Sequence, residues 1–354
     1  EPDHPEVRRI MTRERDVRMS IDARLQLAAA GILARHLKQQ GRDRGALVAL
    51  DAESGDLLAS VSHPAPALPA RPEADDDAPG PLLDRARYGL YPPGSTFKIV
   101  TAMAALRLDP ALAGQTFQCV RLPDGRIGNY IGRSRRPVRD DVMDKNPHGT
   151  VNLERGLAVS CNAYFAQLAA RIGPRPLLET AGLLGISVAN PPTAAQLRDA
   201  LPQAGYGQGQ VVATPFQMAR AAAVVAARGR MPYGRWVLDA SNPRVEQPKP
   251  VLAEALAAEI GRDMRLVVTG GTGRRAAGAP VPIAGKTGTA ELAKAPSHAW
   301  FIGYAPHGVP GARRIAFAVI VENGRYGGTA AAPVAADLVA AAQHLGIFSG
   351  DEKP

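Results

Sequence analysis

Strand-like segments lie near both ends of this chain, and helical patterns fill the stretch between them. The first strand-like pair is Gly45–Leu50 and Asp56–Val61, and the polar turn Glu53-Ser54-Gly55 between them is typical of a hairpin. Because the remaining strand-like runs are far away in sequence, the pattern predicts one antiparallel sheet assembled from both ends, with helices packed on it, which is an α+β fold. Those runs are 283–290, 298–304 and 314–322. Helical patterns begin at Asp22 and also cover 95–106, 153–172, 214–228, 253–269 and 331–345.

Length and composition fit one large globular domain. The chain has 354 residues, of which 45% are hydrophobic, enough to bury a sizeable core. We expect the domain to cover 16–346, with 1–15 as a tail or the remnant of a preceding domain and 347–354 as a C-terminal tail. Residues 64–82 are rich in Pro, Ala and Asp and predict a mobile loop. No run approaches the roughly 18 consecutive apolar residues of a membrane helix.

The net charge of +9 does not by itself define a partner. The basic residues are scattered, and no zinc-finger, RNA-binding-sheet or helix-turn-helix signature occurs among them, so we expect no nucleic-acid partner. A moderately basic surface fits a polyanionic partner such as cell wall or membrane headgroups.

Ser95 and Lys98 form the first pair with chemical potential. Ser95 follows Pro92-Pro93-Gly94 and opens a helical pattern, so Lys98 shares its helix face. A serine hydroxyl is a poor nucleophile until a base removes its proton, and a lysine amine with a depressed pKa can be that base. The alternative is an N-cap serine followed by a solvated lysine.

Two further motifs follow in the chain. Ser160-Cys161-Asn162 falls within the predicted helix 153–172, and Lys286-Thr287-Gly288-Thr289 falls in the strand-like run 283–290. Each alone could be a polar patch on a helix or at a strand edge. Together with Ser95-Thr-Phe-Lys98, in this order, they match the triple signature of penicillin-recognising serine enzymes.

The motifs resemble those of class B penicillin-binding proteins over about residues 18–345. The resemblance rests on Tyr91-Pro-Pro-Gly-Ser-Thr-Phe-Lys98, Ser160-Cys-Asn162, Gly205-Tyr-Gly-Gln-Gly209 and Ala284-Gly-Lys-Thr-Gly-Thr-Ala-Glu291. It implies the penicillin-binding transpeptidase fold, which is serine β-lactamase-like. The segments His298-Ala-Trp-Phe301 and Val321-Glu-Asn-Gly324 are more similar to elongation-type members than to division-type ones.

The resemblance implies a peptidoglycan D,D-transpeptidase that acts on stem peptides and is acylated by β-lactams, with no cofactor required for catalysis. Ser95 would be the nucleophile and Lys98 its general base. Ser160 would relay a proton among Lys98, Lys286 and the leaving amine. The residues implied in substrate binding are Asn162, for a backbone amide, and Thr287, Gly288 and Thr289, for the terminal carboxylate of D-Ala-D-Ala, with the N–H of Thr289 as the second oxyanion donor.

Two other functions use the same motifs. A serine β-lactamase of class D shares Ser-Thr-Phe-Lys but has an apolar third residue in the second motif, where this chain has Asn162. A β-lactam sensor that is acylated without turnover would keep all three motifs.

The two cysteines, Cys119 and Cys161, suggest a structural zinc. Between them lie Asp140, Asp141, Asp144 and His148, and thiolate, imidazole and carboxylate are the ligand types of a closed tetrahedral zinc site. The predicted ligands are Cys119, Asp141, His148 and Cys161, and the metal would stabilise the irregular segment 119–148. A disulfide between the cysteines, or two buried free thiols, are the alternatives.

The resemblance also implies a periplasmic or otherwise extracytoplasmic enzyme. We expect an anchor to the inner membrane in a segment outside these residues. Since no glycosyltransferase segment is recognisable, we expect any membrane glycosyltransferase partner to be a separate protein or a part outside these residues.

Overall fold

The computed structural model describes residues 4–12, 16–66, 80–132, 134, 136–238 and 247–349. Of the predicted mobile loop, 67–79 lie outside the described residues. The helices are α1 (Pro5–Thr12), α2 (Ala23–Gln39), α3 (Lys98–Leu108), α4 (Leu153–Ala158), α5 (Asn162–Ile172), α6 (Pro174–Leu183), α7 (Ala194–Arg198), α8 (Leu201–Ala204), α9 (Pro215–Ala226), α10 (Glu254–Thr269), α11 (Gly327–Ala330) and α12 (Ala332–His344). The strands are β1 (Gly45–Asp51), β2 (Leu57–His63), β3 (Phe117–Arg121), β4 (Ile127–Asn129), β5 (Val138–Arg139), β6 (Gly149–Val151), β7 (Arg230–Met231), β8 (Lys249–Pro250), β9 (Ala284–Ala290), β10 (His298–Ala305) and β11 (Ile315–Val321).

A five-stranded antiparallel sheet joins the two ends of the chain. Its order is β2-β1-β11-β10-β9, and the central pairing sets Gly45 opposite Val321. The sheet confirms the predicted α+β fold. Strand β9, which carries Lys286 to Thr289, is at one edge of this sheet, so its outer side is open to the site described below.

Both faces of the sheet are covered by helices. Residues that alternate along each strand separate into two buried clusters, as strand geometry requires. On one face Leu47 and Phe317 pack with Leu33 of α2 and Leu338 of α12, and all four are fully buried. Burial of each such side chain stabilises the fold by about 1.5–3 kcal/mol. On the other face the strands pack with helices that include α3, α5, α9 and α10, and these helices hold the site.

Helix α2 begins where the sequence predicts and is followed by a glycine. The Asp22 carboxylate accepts hydrogen bonds from the backbone N–H groups of Arg24 and Leu25, which caps the first turn. Gly41 follows the helix with a φ of +61°, a left-handed conformation that favours glycine.

Two expectations from the sequence need correction. Residues 119–148 are not wholly irregular, because they contribute three strands to a small sheet of order β5-β4-β3-β6. The predicted helix 153–172 is two helices, α4 and α5, because Ser160 between them has a φ of +60° and breaks the helical path. In the predicted C-terminal tail, Ile347 and Phe348 are buried in the cluster that includes residues of the sheet.

Within the described ranges, no helix combines the length and apolar character needed to cross a membrane.

Candidate active site

Ser95 lies in a tight turn that leads into α3. The turn Gly94–Phe97 is a 3-10 helix that continues directly into α3, so Ser95 is at the N-terminal end of the helical run. Gly94 has a φ of +52°, and a Cβ there would lie 2.5 Å from the carbonyl oxygen of Thr289. Only glycine therefore allows this turn to approach β9 so closely. Ser95 faces a cleft of about 660 Å³ between the turn, β9 and the α4–α5 connection.

Ser160 lies at the connection between α4 and α5. Its φ of +60° is unusual for a residue other than glycine and indicates local strain. The connection is held by the Asp140 carboxylate, whose Oδ1 accepts hydrogen bonds from the backbone N–H groups of Asn162 and Ala163 at the start of α5. Asp140 thus acts as a cap supplied from another part of the chain.

Two lysines meet at the Ser160 side chain. Lys98 Nζ is 3.2 Å from Ser160 Oγ, and it also donates to Ser160 O and, at 2.7 Å, to Asn162 Oδ1. Lys286 Nζ donates to Ser160 Oγ at 2.8 Å and to Thr287 O at 3.0 Å. We call Lys98, Ser160 and Lys286 the lysine cluster.

Both lysine side chains are fully buried. Burial lowers the pKa of Lys98 to about 8, although the negative charge of Asp140 opposes the shift. Burial, together with the positive charge of Lys98, lowers the pKa of Lys286 well below its ordinary value. A neutral amine is therefore accessible near physiological pH, as a general base requires.

The third motif forms the opposite wall of the cleft. Thr287 Oγ1 lies 2.5 Å from Thr272 Oγ1, and Thr287 and Thr289 both line the cleft near Ser95. A Cβ at Gly288 would lie 2.8 Å from Thr96 Cγ2, so the absence of a side chain at this position allows β9 to pack closely against the turn that carries Ser95.

The predicted residues converge on this one cleft. Ser95, Ser160, Asn162, Thr287 and Thr289 line it, while Lys98, Lys286 and Gly288 lie behind its walls. In the described part of the chain no hydrogen bond joins Lys98 Nζ to Ser95 Oγ, and Asn162 Nδ2 donates to the carbonyl of Arg139. The sequence did not indicate Thr272, which follows two glycines and carries no motif of its own.

A second polar cluster lies behind the start of α5. Its members, which we call the thiol cluster, are Cys119, Asp140, His148 and Cys161, and their ligand-type atoms all lie within 4.8 Å of one another. Asp140 Oδ2 is 3.1 Å from Cys119 Sγ, 3.2 Å from Cys161 Sγ and 3.2 Å from His148 Nδ1. Both cysteines are free and buried, so the disulfide alternative does not hold in this structure.

Ionisation in the thiol cluster follows its hydrogen bonds. Burial alone would raise the pKa of Asp140, but hydrogen bonds from His148 and Cys119 lower it to about 2. Hydrogen bonds to Asp140 and Asp144 raise the pKa of His148 to about 11. A hydrogen bond from Cys161 lowers the pKa of Cys119 to about 6, and burial raises that of Cys161.

The carboxylate in the thiol cluster is Asp140 rather than the predicted Asp141. Asp141 Oδ1 instead accepts a hydrogen bond from the N–H of Met143, and the residue lines the active-site cleft. The sequence alone does not separate Asp140, Asp141 and Asp144 as carboxylate ligands, and the fold does so by bringing Asp140 to both cysteines.

Comparison with known proteins agrees with this geometry. The family model for the penicillin-binding protein transpeptidase domain matches residues 45–340. PbpA of Mycolicibacterium smegmatis, a peptidoglycan D,D-transpeptidase, is 33% identical over 86% of this chain and 68% of its own length. MrdA of Acinetobacter baumannii, also a peptidoglycan D,D-transpeptidase, is 31% identical over 90% of this chain and 53% of its own length.

Solved structures agree as well. Pseudomonas aeruginosa PBP2, in complex with WCK 5153, superposes with a TM-score of 0.77 at 30% identity, covering 92% of this chain and 75% of that one. Penicillin-binding protein A from M. tuberculosis, as a penicillin G acyl-enzyme complex, gives a TM-score of 0.74 at 29% identity, covering 92% of this chain and 80% of that one.

Fold and site together define a serine-type transpeptidase. The chain belongs to the penicillin-binding protein transpeptidase family, and its relatives confirm the resemblance to class B members. The distinction between elongation and division types stays a prediction.

Proposed function

We propose that this chain is a peptidoglycan D,D-transpeptidase in which Ser95 Oγ attacks the penultimate D-alanine carbonyl of a stem peptide. An ester bond forms to Ser95, the amide C–N bond breaks, and the terminal D-alanine leaves with the serine proton on its amine. The amine of a second stem then displaces Ser95 and makes the cross-link. The observation that carries this proposal is the lysine cluster beside Ser95, where one hydroxyl, Ser160 Oγ, contacts both buried amines.

The lysine cluster can supply the proton transfers. Lys98, once neutral, accepts the proton of Ser95, and a hydrogen-bonded path from Lys98 to Lys286 runs through Ser160 Oγ. Lys286 in its protonated form would give the positive potential that an anionic substrate needs, and the negative charge of the bound substrate would favour that form. Because Lys98 Nζ now points to Ser160 and Asn162, it must turn toward Ser95 when substrate binds, which is common for catalytic hydrogen bonds before substrate arrives.

Binding of the substrate is proposed for the other two motifs. The hydroxyls of Thr287 and Thr289 would donate to the terminal carboxylate, and the N–H groups of Ser95 and Thr289 would form the oxyanion hole. The Asn162 side chain would exchange its bond to the Arg139 carbonyl for a substrate amide.

Mass spectrometry of the intact protein with benzylpenicillin tests this proposal. We expect a single adduct that Ser95→Ala abolishes and that Ser187→Ala, a change outside the cleft, leaves intact. An adduct on Ser95→Ala contradicts the nucleophile assignment. Rapid return of the unmodified mass in excess penicillin favours a β-lactamase, and failure to turn over a D-Ala-D-Ala thioester favours a sensor.

We also propose a structural zinc in the thiol cluster. Two thiols, one imidazole and one carboxylate are a suitable donor set for four-coordinate zinc, and their mutual distances suit convergence on one ion. His148 Nε2 lies 3.7 Å from Asp144 Oδ1, so Asp144 would orient the ring while Nδ1, which faces Asp140 and Cys119, would bind the metal. Catalysis itself would need no cofactor. The metal would fix Asp140 and Cys161, which hold the start of α5.

Elemental analysis decides the zinc proposal. We expect about one zinc per chain, lost in Cys119→Ser, His148→Ala and Asp140→Asn but kept in Asp141→Asn. The last two variants form a matched pair, since they remove neighbouring carboxylates of which only one is in the cluster. Absence of zinc from the wild type, or equal zinc in both variants, contradicts the site.

An extracytoplasmic location and a separate glycosyltransferase partner are proposed as well. Both are supported by the substrate, because stem peptides are joined outside the cytoplasm on glycan strands that a polymerase supplies. Fractionation of cells that express the natural full-length protein tests the first, and co-purification with a membrane polymerase tests the second. Recovery in the cytosol contradicts the location.

A further inference from the structure

Hydrogen bonds hold residues 91–96, which include Ser95 and which we call the nucleophile segment. Tyr91 exchanges two backbone hydrogen bonds with Ala213, at 3.1 and 2.9 Å. Gly94 N–H donates to Gly207 O at 3.0 Å, and Thr96 Oγ1 donates to Pro93 O at 2.7 Å. The position of the Ser95 N–H is therefore set by what holds this segment.

The Tyr91 side chain connects the segment to a buried ion pair. Its hydroxyl donates to Glu322 Oε1 at 2.7 Å, and the same oxygen accepts from Arg85 Nε at 2.9 Å. Tyr91 is 7% exposed and Arg85 is 3% exposed. In such a water-poor environment these charge-assisted hydrogen bonds resist displacement, so the Tyr91 ring has one well-defined position.

Trp300 links the Tyr91 ring to both halves of the proposed oxyanion hole. The two rings meet edge to face, with centroids 6.1 Å apart and planes at 78°. Trp300 Nε1 donates to the carbonyl of Pro92 at 3.1 Å, three residues before Ser95. The backbone of Trp300 is paired with Gly288, which directly precedes Thr289. One residue therefore contacts the nucleophile segment through its side chain and β9 through its backbone.

We propose that Glu322, Tyr91 and Trp300 are positioning residues that set the distance between the N–H groups of Ser95 and Thr289. The proposal rests on the proposed function, since it assigns these N–H groups to the oxyanion. Glu322 orients Tyr91, the Tyr91 ring supports Trp300, and Trp300 fixes the segment to β9. A looser arrangement raises the barrier to each tetrahedral intermediate, because preorganised donors stabilise developing charge most strongly.

The variant Tyr91→Phe tests the proposal, because it removes the hydroxyl and keeps the ring. Stopped-flow acylation with benzylpenicillin separates the Kd of the non-covalent complex from the acylation rate constant, and titration of acylable sites corrects for inactive protein. We expect the rate constant to fall roughly tenfold, with Kd unchanged. We also expect slower deacylation, because breakdown of the ester passes through the same oxyanion. Tyr304→Phe is the matched control, since Tyr304 is a buried tyrosine bonded to His307 elsewhere in the sheet.

A second single variant keeps the test decisive if Tyr91→Phe folds poorly, and the double variant tests whether the two residues act together. Glu322→Gln should slow acylation as well, and Tyr91→Phe/Glu322→Gln should be no slower than the slower single variant, because both act through one contact. A lower Tm with a normal rate constant per active site, or additive effects, overturns the positioning role. An unreactive wild type instead contradicts the proposed function, and with it this role.

Discussion

The lysine cluster and the thiol cluster lie on two sides of the start of α5. They differ in the partners of their buried ionisable groups. In the lysine cluster two amines are fully buried, and among the described residues their hydrogen-bond acceptors are all neutral oxygens. In the thiol cluster the Asp140 carboxylate has an imidazole and two thiols as partners. Burial without an ionic partner shifts a pKa toward the neutral form, whereas partners hold the charged form.

This difference suits two different tasks. A base must be able to lose its charge near working pH, so the lysine cluster tolerates an unfavourable burial of its amines. A structural cluster must keep its charges, and Asp140, with a pKa of about 2, does so. Asp140 is a member of the thiol cluster and also accepts a hydrogen bond from the N–H of Asn162, so it connects the thiol cluster to the lysine cluster.

The largest expected effect comes from removing the ability of Lys98 to become neutral. Lys98→Arg keeps the positive charge but cannot deprotonate at working pH. We expect the second-order rate constant for acylation by benzylpenicillin to fall by at least about 100-fold. Lys294→Arg, at an exposed lysine, should leave that rate constant unchanged. Near-normal acylation in Lys98→Arg would show that the buried amine is not the base.

The pH dependence of acylation follows from the same shift. Because the pKa of Lys98 is about 8, the fraction of neutral amine, and hence the rate, should rise about tenfold per pH unit below that value. Above it the rate should level off. A profile of the acylation rate from pH 6 to 9, measured with benzylpenicillin, gives the midpoint. A flat profile would contradict the assignment of Lys98 as a base that loses its charge near working pH, and with it the difference between the two clusters.

A smaller effect is expected on the thiol side. Cys119→Ser should leave a folded enzyme whose Tm is lower by on the order of 5 °C, because one member of a buried, mutually bonded group is replaced by a poorer ligand. Thermal unfolding of Cys119→Ser beside Asp141→Asn measures this. An equal Tm for both variants would mean that the cluster adds nothing to stability.

The motifs and the sheet were predictable from the sequence because both depend on local patterns. Strands β1 and β2 around their polar turn, the capped start of α2 and the three catalytic motifs each have a signal within a few residues. The break at Ser160 was not predictable, because the surrounding residues favour a helix. It arises from Asp140, which lies 20 residues away and caps α5 from outside.

Contacts between distant segments account for the other differences. The choice of Asp140 over Asp141 depends on how the chain after β5 meets the start of α5, where Asp140 Oδ1 accepts hydrogen bonds from the N–H groups of Asn162 and Ala163. The link from Glu322 to Tyr91 joins residues separated by 231 positions. Neither has a pattern in the local sequence.

Asp263 in α10 is a third case, a buried ionisable group with no hydrogen-bond partner among the described residues and no catalytic task. Its substitution is expected to have the smallest effect. Asp263 is 4% exposed, and its carboxylate makes no hydrogen bond or ion pair with the described residues. Burial, with Glu154 and Glu259 nearby and only partly offset by Arg262, raises its pKa to about 7 from the ordinary 3.8.

The folded state therefore binds the proton of Asp263 more tightly than the unfolded state. The contribution to stability is complete below about pH 4 and is lost as the pH rises toward 7. Asp263→Asn, which cannot ionise, should gain about 2 kcal/mol of stability relative to the wild type between pH 5 and pH 8, a modest rise in Tm. Thermal unfolding at both pH values, with the exposed Asp199→Asn as control, measures this difference, and an unchanged gap between pH 5 and pH 8 would show that Asp263 is already stabilised as the anion.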